Sequence, residues 1–276
     1  MKTAVLIQSH NNSRYICKLA EYFPSIRFYI HIDRKNTHDF NFIKEKKLSN
    51  IFLIEERINV FWGGVSQIKA TLLLLNEAEK NKENHYFHLM SGECLPLTSF
   101  YEMEKEWDKT PHINFIESHI DNNNSWRLKV RVPHSDTKYL RTFIGKAFNK
   151  MLKYSTYIKK TTSFSNDEFY FGSQWFSITR NLVSHIVSAD NEHFFDSFKN
   201  ITCADEHAFQ ILSRRIEEPC NIADNNKRFI HFKKKSSPEY LNESTLLKLD
   251  NNKYWFARKV KEDVTLDYLD RLKNNV

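Results

Sequence analysis

The segment Ile201–Leu212, ITCADEHAFQIL, sets two adjacent carboxylates, Asp205 and Glu206, ahead of an apolar run that repeats at helical spacing. Such acids can act in general acid–base chemistry, and they can also open a helix. Thr202 and Asp205 fit the S/T-x-x-D form of a capping box, with Ala208, Phe209, Ile211 and Leu212 as the buried stripe behind it. Asp205 is thereby accounted for as a cap. Glu206 lies about 100° further round the helix, where the dipole favours its ionised form, and is either a solvated first-turn acid or a base.

Other short stretches join strand ends or turns to residues able to hold a ligand. YIHIDRK (Tyr29–Lys35) is a strand ending in charge, so Asp33 and its basic neighbours sit where α/β sheets bind ligands, although a simple turn reads equally well. VFWGGVS (Val60–Ser66) places Trp62 and two glycines before a helix, suited to a flat ring lying against backbone or to a core tryptophan and a turn. HLMSGECLPL (His88–Leu97) is another strand end, carrying Gly92 and Glu93. FGSQWFSITR (Phe171–Arg180) joins Gly172 and Ser173 to aromatics, and FARK (Phe256–Lys259) sets Arg258 beside Lys259.

These stretches must be positioned by the elements between them. Strand-like runs at about 3–8, 26–32, 50–54, 85–90 and 112–116 alternate with helical patterns near 13–22, 65–80 and 99–107, the signature of an α/β fold with a mostly parallel sheet flanked by helices. The polar, asparagine-rich span 118–138 reads as a loop. A basic helix near 139–153, a strand at 172–179, helices near 180–198 and 203–215, and a final helix around 264–273 complete the pattern.

The chain has 276 residues, 41% hydrophobic, enough for a substantial core. No run approaches a membrane span, and Met1-Lys2 leads directly into a first strand, Ala4–Ile7, which reads as a cytoplasmic protein. The four cysteines, Cys17, Cys94, Cys203 and Cys220, show no C-x-x-C spacing and suggest neither zinc site nor redox pair. Only five glycines occur, so no G-x-G-x-x-G or P-loop can be written, and kinase, P-loop NTPase and ordinary dinucleotide-enzyme readings fall away. The net charge of +7 favours an anionic partner: nucleic acid, an anionic membrane surface or a phosphorylated ligand. Its dense points, Lys44–Lys47, Lys159–Lys160 and Lys233–Lys235, are either solvated faces or membrane contacts.

In order, HIDRK, WGG-S before KATLLLLNEA, SGECLPL, GSQWFSITR, DEHAFQ and FARK resemble the core-2/I-branching enzyme family, which includes β-1,6-N-acetylglucosaminyltransferases and peptide O-xylosyltransferases. The resemblance runs from about residue 3 to 260. It implies a Rossmann-like fold of the GT-A type, a UDP-sugar donor, inversion at the anomeric carbon and no metal cofactor. The sequence agrees on metal, because it contains no D-x-D motif, so fixed cations are expected to stabilise the leaving diphosphate. The resemblance puts the general base on Glu206, kept ionised by its helix N-terminus, with Asp205 as the cap. It puts Lys259, with Arg258 beside it, at the diphosphate, and Asp33, Arg34, Trp62 and His10 at the donor nucleotide. Ser173, Gln174, Trp175 and Glu117 fall near the transferred sugar or acceptor. A second diphosphate cation is expected upstream, with Lys233, Lys234 and Lys235 as candidates. Residues 1–116 then form a nucleotide-binding half and 117–276 an acceptor-binding and catalytic half of one domain.

Two departures stand out. The family's usual SG-x-D-x-P is here Ser91-Gly92-Glu93-Cys94, with the acid one place early, and Phe232 occupies the position of a sugar-stacking tryptophan. His85 and His88 fall on opposite faces of a strand, poor geometry for a shared metal. The expected partners are a UDP-sugar and a glycan or lipid-linked oligosaccharide. Without a signal anchor the chain is similar to bacterial members, acting at the inner face of the cytoplasmic membrane and in peripheral contact with anionic lipid. Competing readings are transfer of xylose or another sugar, a catalytically silent glycan-binding domain, and a basic nucleic-acid-binding protein. Dispersed cations and the lack of a recognised motif argue against the last.

Overall fold

The computed structural model describes residues 1–164, 169–216, 221–233 and 237–274. The first half alternates strand and helix: β1 (Thr3–Ser9), α1 (Ser13–Tyr22), β2 (Arg27–Ile32), α2 (Thr37–Lys46), β3 (Ile51–Leu53), α3 (Val65–Glu79) and β4 (Tyr86–Ser91). Then come β5 (Cys94–Pro96), α4 (Phe100–Trp107), β6 (Ile113–Asn114), β7 (His119–Ile120), α5 (Phe143–Ser155), β8 (Tyr170–Phe171) and β9 (Ser177–Thr179). The remainder is α6 (Arg180–Ile186), α7 (Glu192–Asp196), α8 (Ala208–Ser213), β10 (Asn221–Ile222), β11 (Arg228–Ile230), α9 (Glu243–Leu246), β12 (Phe256–Arg258) and α10 (Glu262–Asn274).

The central sheet has the order β3-β2-β1-β4-β9, parallel except for β9, which runs antiparallel to β4. β1 is buried along its whole length, as the run TAVLIQS requires of a strand covered on both faces. Alternate residues feed two cores. Ala4, Leu6, Phe87 and Leu89 pack with apolar residues of α3, α6 and α8, while Val5, Ile7, Phe28, Ile30 and Met90 pack with those of α1, α2, α4 and α10. The result is the expected α/β, Rossmann-like architecture, a mostly parallel sheet between two layers of helices. The chain winds from β1 to β3 on one side, then returns through α3 to β4 on the other. The carboxyl ends of β1 and β4 therefore flank a topological switch point, where open α/β sheets leave a crevice. A smaller sheet, β11-β12-β5, packs beside that crevice and pairs Arg258 with Cys94.

The differences from the sequence reading have local causes. α2 is absent from the predicted elements because it buries only Phe40 and Ile43, although Asn36 caps it by accepting the Asp39 N–H at 3.0 Å. The strand expected at 172–179 is interrupted: β8 precedes it, Gly172–Phe176 run irregularly, and only Ser177–Thr179 pair. The helix expected at 203–215 is also broken. Cys203 is left-handed (φ 50°), residues 204–206 form one 3-10 turn, and α8 starts only after His207. Tertiary bonds take up the backbone of this turn: the Cys203 N–H donates to the Gly63 carbonyl (2.7 Å), and the Glu206 carbonyl accepts from the Gly172 N–H (3.0 Å).

His88 is buried among Phe100, Trp107, Trp255 and Phe256, with Nδ1 2.7 Å from the Ser177 hydroxyl, whereas His85 lies exposed before β4. Burial keeps the His88 imidazole well below its usual pKa, so it is a neutral core residue. Cys17, Cys94 and Cys203 are buried free thiols, and Cys220 lies outside the described residues. No helix among the described residues is long and apolar enough to cross a membrane.

Candidate functional site

A cleft of 780 Å³ opens at the switch point. β1 supplies His10 just beyond its end, β2 supplies Asp33, β4 supplies Ser91, Gly92 and Glu93, and β12 supplies Arg258 and Lys259. Trp62, Glu117, Ser173, Gln174, Trp175 and Glu206 also line it. Of the residues assigned to donor or acceptor, Arg34 does not line the cleft: it is exposed, and its neighbour Lys35 faces the cleft instead. The turn after β2 explains the exchange. The Asp33 carboxylate accepts the Lys35 backbone N–H at 3.0 Å and pairs with the Lys35 ammonium at 3.1 Å, which folds Lys35 back over the strand end.

Of the upstream lysine cluster, Lys233 does not line the cleft. Lys233 is exposed and paired with Glu239 at 3.0 Å, and Lys234 and Lys235 lie outside the described residues. Arg228 lines the cleft from β11, but its guanidinium is buried and bonded to the Leu89 and Phe176 carbonyls at 2.9 and 2.6 Å. It ties β4 to the segment that leads into β9, and burial lowers its pKa to about 9. Phe232 lines the rim, more than half exposed, at the position expected to stack on sugar.

The cation pair is fixed by the displaced acid. Glu93, nearly buried, accepts from Lys259 Nζ at 2.9 Å and from the Tyr240 hydroxyl at 2.5 Å, with Arg258 Nη1 at 3.8 Å. Burial works to raise the Glu93 carboxyl, but the hydrogen bonds of Tyr240 and Lys259 and the two positive charges outweigh it, and its pKa is lowered. The same bond pushes the Tyr240 hydroxyl up to about 12. Arg258 also stacks over the Trp175 ring, 4.6 Å from its centroid. Two cations against one carboxylate leave one net positive charge at this end of the cleft.

A chain of side-chain amides runs along the floor. Gln67 accepts the Gly63 N–H and donates to Gln174 at 2.9 Å, and Gln174 donates to Gln8 at 2.8 Å. Glu117 accepts the Ser173 N–H at 3.0 Å, so it holds the backbone of the GSQW segment through one oxygen. Gly172 is required beside it, because a Cβ there would overlap the Glu117 carbonyl. Gly172→Ala is expected to cost about 1–3 kcal/mol of unfolding free energy by forcing the two segments apart; unchanged urea unfolding would show that the contact yields freely.

Asp205 and Glu206 both face the cleft, but neither the cap expected of Asp205 nor the helix terminus expected to hold the charge of Glu206 is found. No side chain caps the turn or α8, and the Asp205 carboxyl is buried with Oδ1 free of any hydrogen bond among the described residues. The proposed capping role is therefore not the observed one. Nor does a helix dipole decide the charge of Glu206, which precedes a helix of only six residues. Its Oε2 instead accepts from Arg127 Nη1 at 2.6 Å. Burial raises the Glu206 pKa while Arg127 opposes, whereas Asp205, buried and facing the Glu206 charge without so direct a partner, is pushed up to about 8. The Asp205 carboxyl is thus held protonated at neutral pH. His207, buried next to the two acids, has its pKa lowered to about 3 and bonds the Tyr170 carbonyl through Nδ1.

This burial has a consequence for stability. Folded Asp205 holds its proton to about pH 8, while an unfolded aspartate loses it near pH 4. Between these values the folded state binds more protons, so the Asp205 contribution to stability falls as pH rises through that window. Asp205→Asn is expected to raise the melting temperature relative to the wild type more at about pH 9 than at about pH 4. An identical shift at both would contradict the raised pKa.

Arg127, which pairs with the candidate base, and Arg141, 5.1 Å from the Trp62 ring, were not singled out from sequence. Both come from the span read as loop and basic helix, where nothing local marks them. Asp136 of the same span accepts the Ser66 N–H (3.2 Å) and hydroxyl at the start of α3, and a Cβ at Gly64 would strike it. Among the described residues no group of three His, Cys, Asp or Glu is arranged to hold a metal ion.

The fold and cleft define an α/β protein with a ligand crevice at its switch point. The chain belongs to the Core-2/I-branching enzyme family, which matches residues 8–255 and so ends just before β12. It is 26% identical over 221 residues to the beta-1,3-galactosyl-O-glycosyl-glycoprotein beta-1,6-N-acetylglucosaminyltransferase 4 of Danio rerio, covering 78% of this chain and 50% of that one. It is 24% identical over 275 residues to the beta-glucuronosyltransferase GlcAT14A of Arabidopsis thaliana, covering 91% of this chain and 59% of the relative. The chain thus spans between half and three-fifths of the length of these relatives. Among solved structures, the 4-diphosphocytidyl-2C-methyl-D-erythritol synthase of Anaerococcus prevotii aligns over 80% of this chain and 86% of its own at 11% identity, with a TM-score of 0.39.

Proposed function

We propose that the protein is an inverting, metal-independent glycosyltransferase that moves a sugar, GlcNAc in the first instance, from a UDP-sugar to a hydroxyl of a glycan. The observation that carries this reading is one cleft that holds both an acid pair, buried Asp205 and partly exposed Glu206, and a fixed cation pair, Arg258–Lys259. Both curated relatives are named as glycosyltransferases, for different sugars. In the proposed reaction the acceptor hydroxyl gives its proton to Glu206 Oε1, the oxygen that Arg127 does not occupy. The acceptor oxygen bonds to the anomeric carbon as the bond from that carbon to the phosphate oxygen breaks, and the electron pair leaves with UDP. Lys259 and Arg258 stabilise the charge growing on the diphosphate, the role otherwise given to a metal. Asp33, Trp62 and His10 are assigned to the nucleotide, and Glu117, Ser173, Gln174 and Trp175 to the sugar or acceptor.

Thermal unfolding with UDP tests this without knowledge of the acceptor. UDP at about 100 times its dissociation constant is expected to raise the melting temperature by about 5–10 °C in EDTA. A shift appearing only with manganese would overturn metal independence, and none under either condition would overturn the UDP reading.

A further inference from the structure

The segment 137–160 carries seven basic residues and no acid. It forms a 3-10 turn, Lys138–Arg141, then α5 and the turn after it. α5 touches the body along one narrow stripe. Leu152 packs on Val130, Val132 and Leu140, Thr142 caps the helix by accepting the Gly145 N–H at 3.1 Å, and Gly145 lets it close on the Tyr139 carbonyl, which a Cβ would strike. Phe148 also meets His134, ring centroids 5.4 Å apart, Lys153 reaches over the Trp126 ring, and Asn149 is partly buried, while most of the other side chains on the helix face outward. At about 100° per residue, Phe143, Ile144, Ala147, Phe148, Met151 and Tyr154 share one side, and Lys146, Lys150 and Lys153 line the next. Phe143 and Ile144 are 88% and 80% exposed, and Tyr157 and Ile158 in the following turn 82% and 90%. Such protruding apolar side chains, contiguous on one face and flanked by unopposed lysines, are unusual on a protein surface left to water.

We propose that α5 and the turn after it dock this protein in the plane of an anionic lipid bilayer. The chemistry matches on both counts. The apolar side is a row long enough to sink into the boundary between headgroups and acyl chains, and the lysines along its flank meet the negative surface potential. A protein partner would need acids to answer the lysines, and a second copy of this chain would bring the same positive face against itself. Arg141, at the foot of α5, lines the cleft beside Trp62, so docking would hold the cleft mouth close to the bilayer. On the reading that the protein is a glycosyltransferase, that places the acceptor site within reach of a lipid-linked oligosaccharide.

Vesicle flotation tests the proposal on the full chain, with phosphatidylcholine vesicles against vesicles that also contain phosphatidylglycerol. Flotation is expected only with the anionic lipid and is expected to weaken with salt. Replacing the three lysines together (Lys146→Gln, Lys150→Gln, Lys153→Gln) is expected to lower partitioning roughly 100-fold. Ile144→Ser with Met151→Ser should abolish flotation while leaving the UDP-induced thermal shift unchanged, which separates failure of docking from failure of the glycosyltransferase reading. Indifference to anionic vesicles at low salt would overturn the proposal. So would a self-association that Ile144→Ser dissolves in a protein that does not float.

Discussion

Glu206→Gln is expected to lower turnover by roughly 10²–10⁴-fold while UDP binding persists. The amide keeps the shape and can still meet Arg127 through its oxygen, but it cannot take the proton of an acceptor hydroxyl. Arg127 is expected to set the working range of Glu206 as the proposed base. Burial raises the Glu206 pKa and the 2.6 Å bond from Arg127 opposes, so activity should fall as pH drops and Glu206 is protonated. Arg127→Met should then move this acidic limb to higher pH, because the opposing charge is gone while the burial remains. Steady-state rates against pH, beside UDP affinity for each variant, check both statements. A Glu206→Gln protein that turns over at the wild-type rate would remove Glu206 from the chemistry.

Lys259→Ala is expected to weaken UDP binding roughly 10- to 100-fold, the worth of one charge-assisted hydrogen bond to the diphosphate. The loss has two parts. The ammonium itself disappears, and Glu93, which Lys259 meets at 2.9 Å, is left with Tyr240 and the more distant Arg258. An undercompensated carboxylate then repels the phosphates. Glu93→Gln should act in the opposite sense at first contact, freeing Lys259 for the ligand, while loosening the Tyr240 and Arg258 positions. Calorimetric titration with UDP measures these affinities, and an unchanged affinity in Lys259→Ala would place the diphosphate elsewhere.

What could be read in advance follows from where each signal lives. Long apolar runs and periodic helices, such as β1, β4 and α3, announce themselves because their burial is written in every residue. α2 gives only a faint pattern, because three of its ten residues are apolar and only Phe40 and Ile43 are buried. The turn at 203–207 could not be foreseen, since its shape is set by the Gly63 carbonyl and the Gly172 N–H, residues far away in the chain. Most of the candidate cleft was legible through short motifs at strand ends. Arg34 was the wrong neighbour of Asp33, because a single turn decides which of two adjacent cations folds inward. Arg127 was invisible, for its role exists only once a polar excursion has packed against the acid pair. Glu93, marked as out of register, bonds Lys259 and stands near Arg258, which a motif alone does not reveal.

The proposed reaction depends above all on Glu206 acting in a cleft that binds UDP through fixed cations. The most direct measurement is UDP release in EDTA, over a panel of UDP-sugars and glycan acceptors, by the wild type and by Glu206→Gln protein shown to be folded and to bind UDP. Release by the wild type with at least one donor, and its loss in the variant, is the predicted result. Equal release by both proteins, or release by the wild type only after a divalent metal is restored, would contradict it.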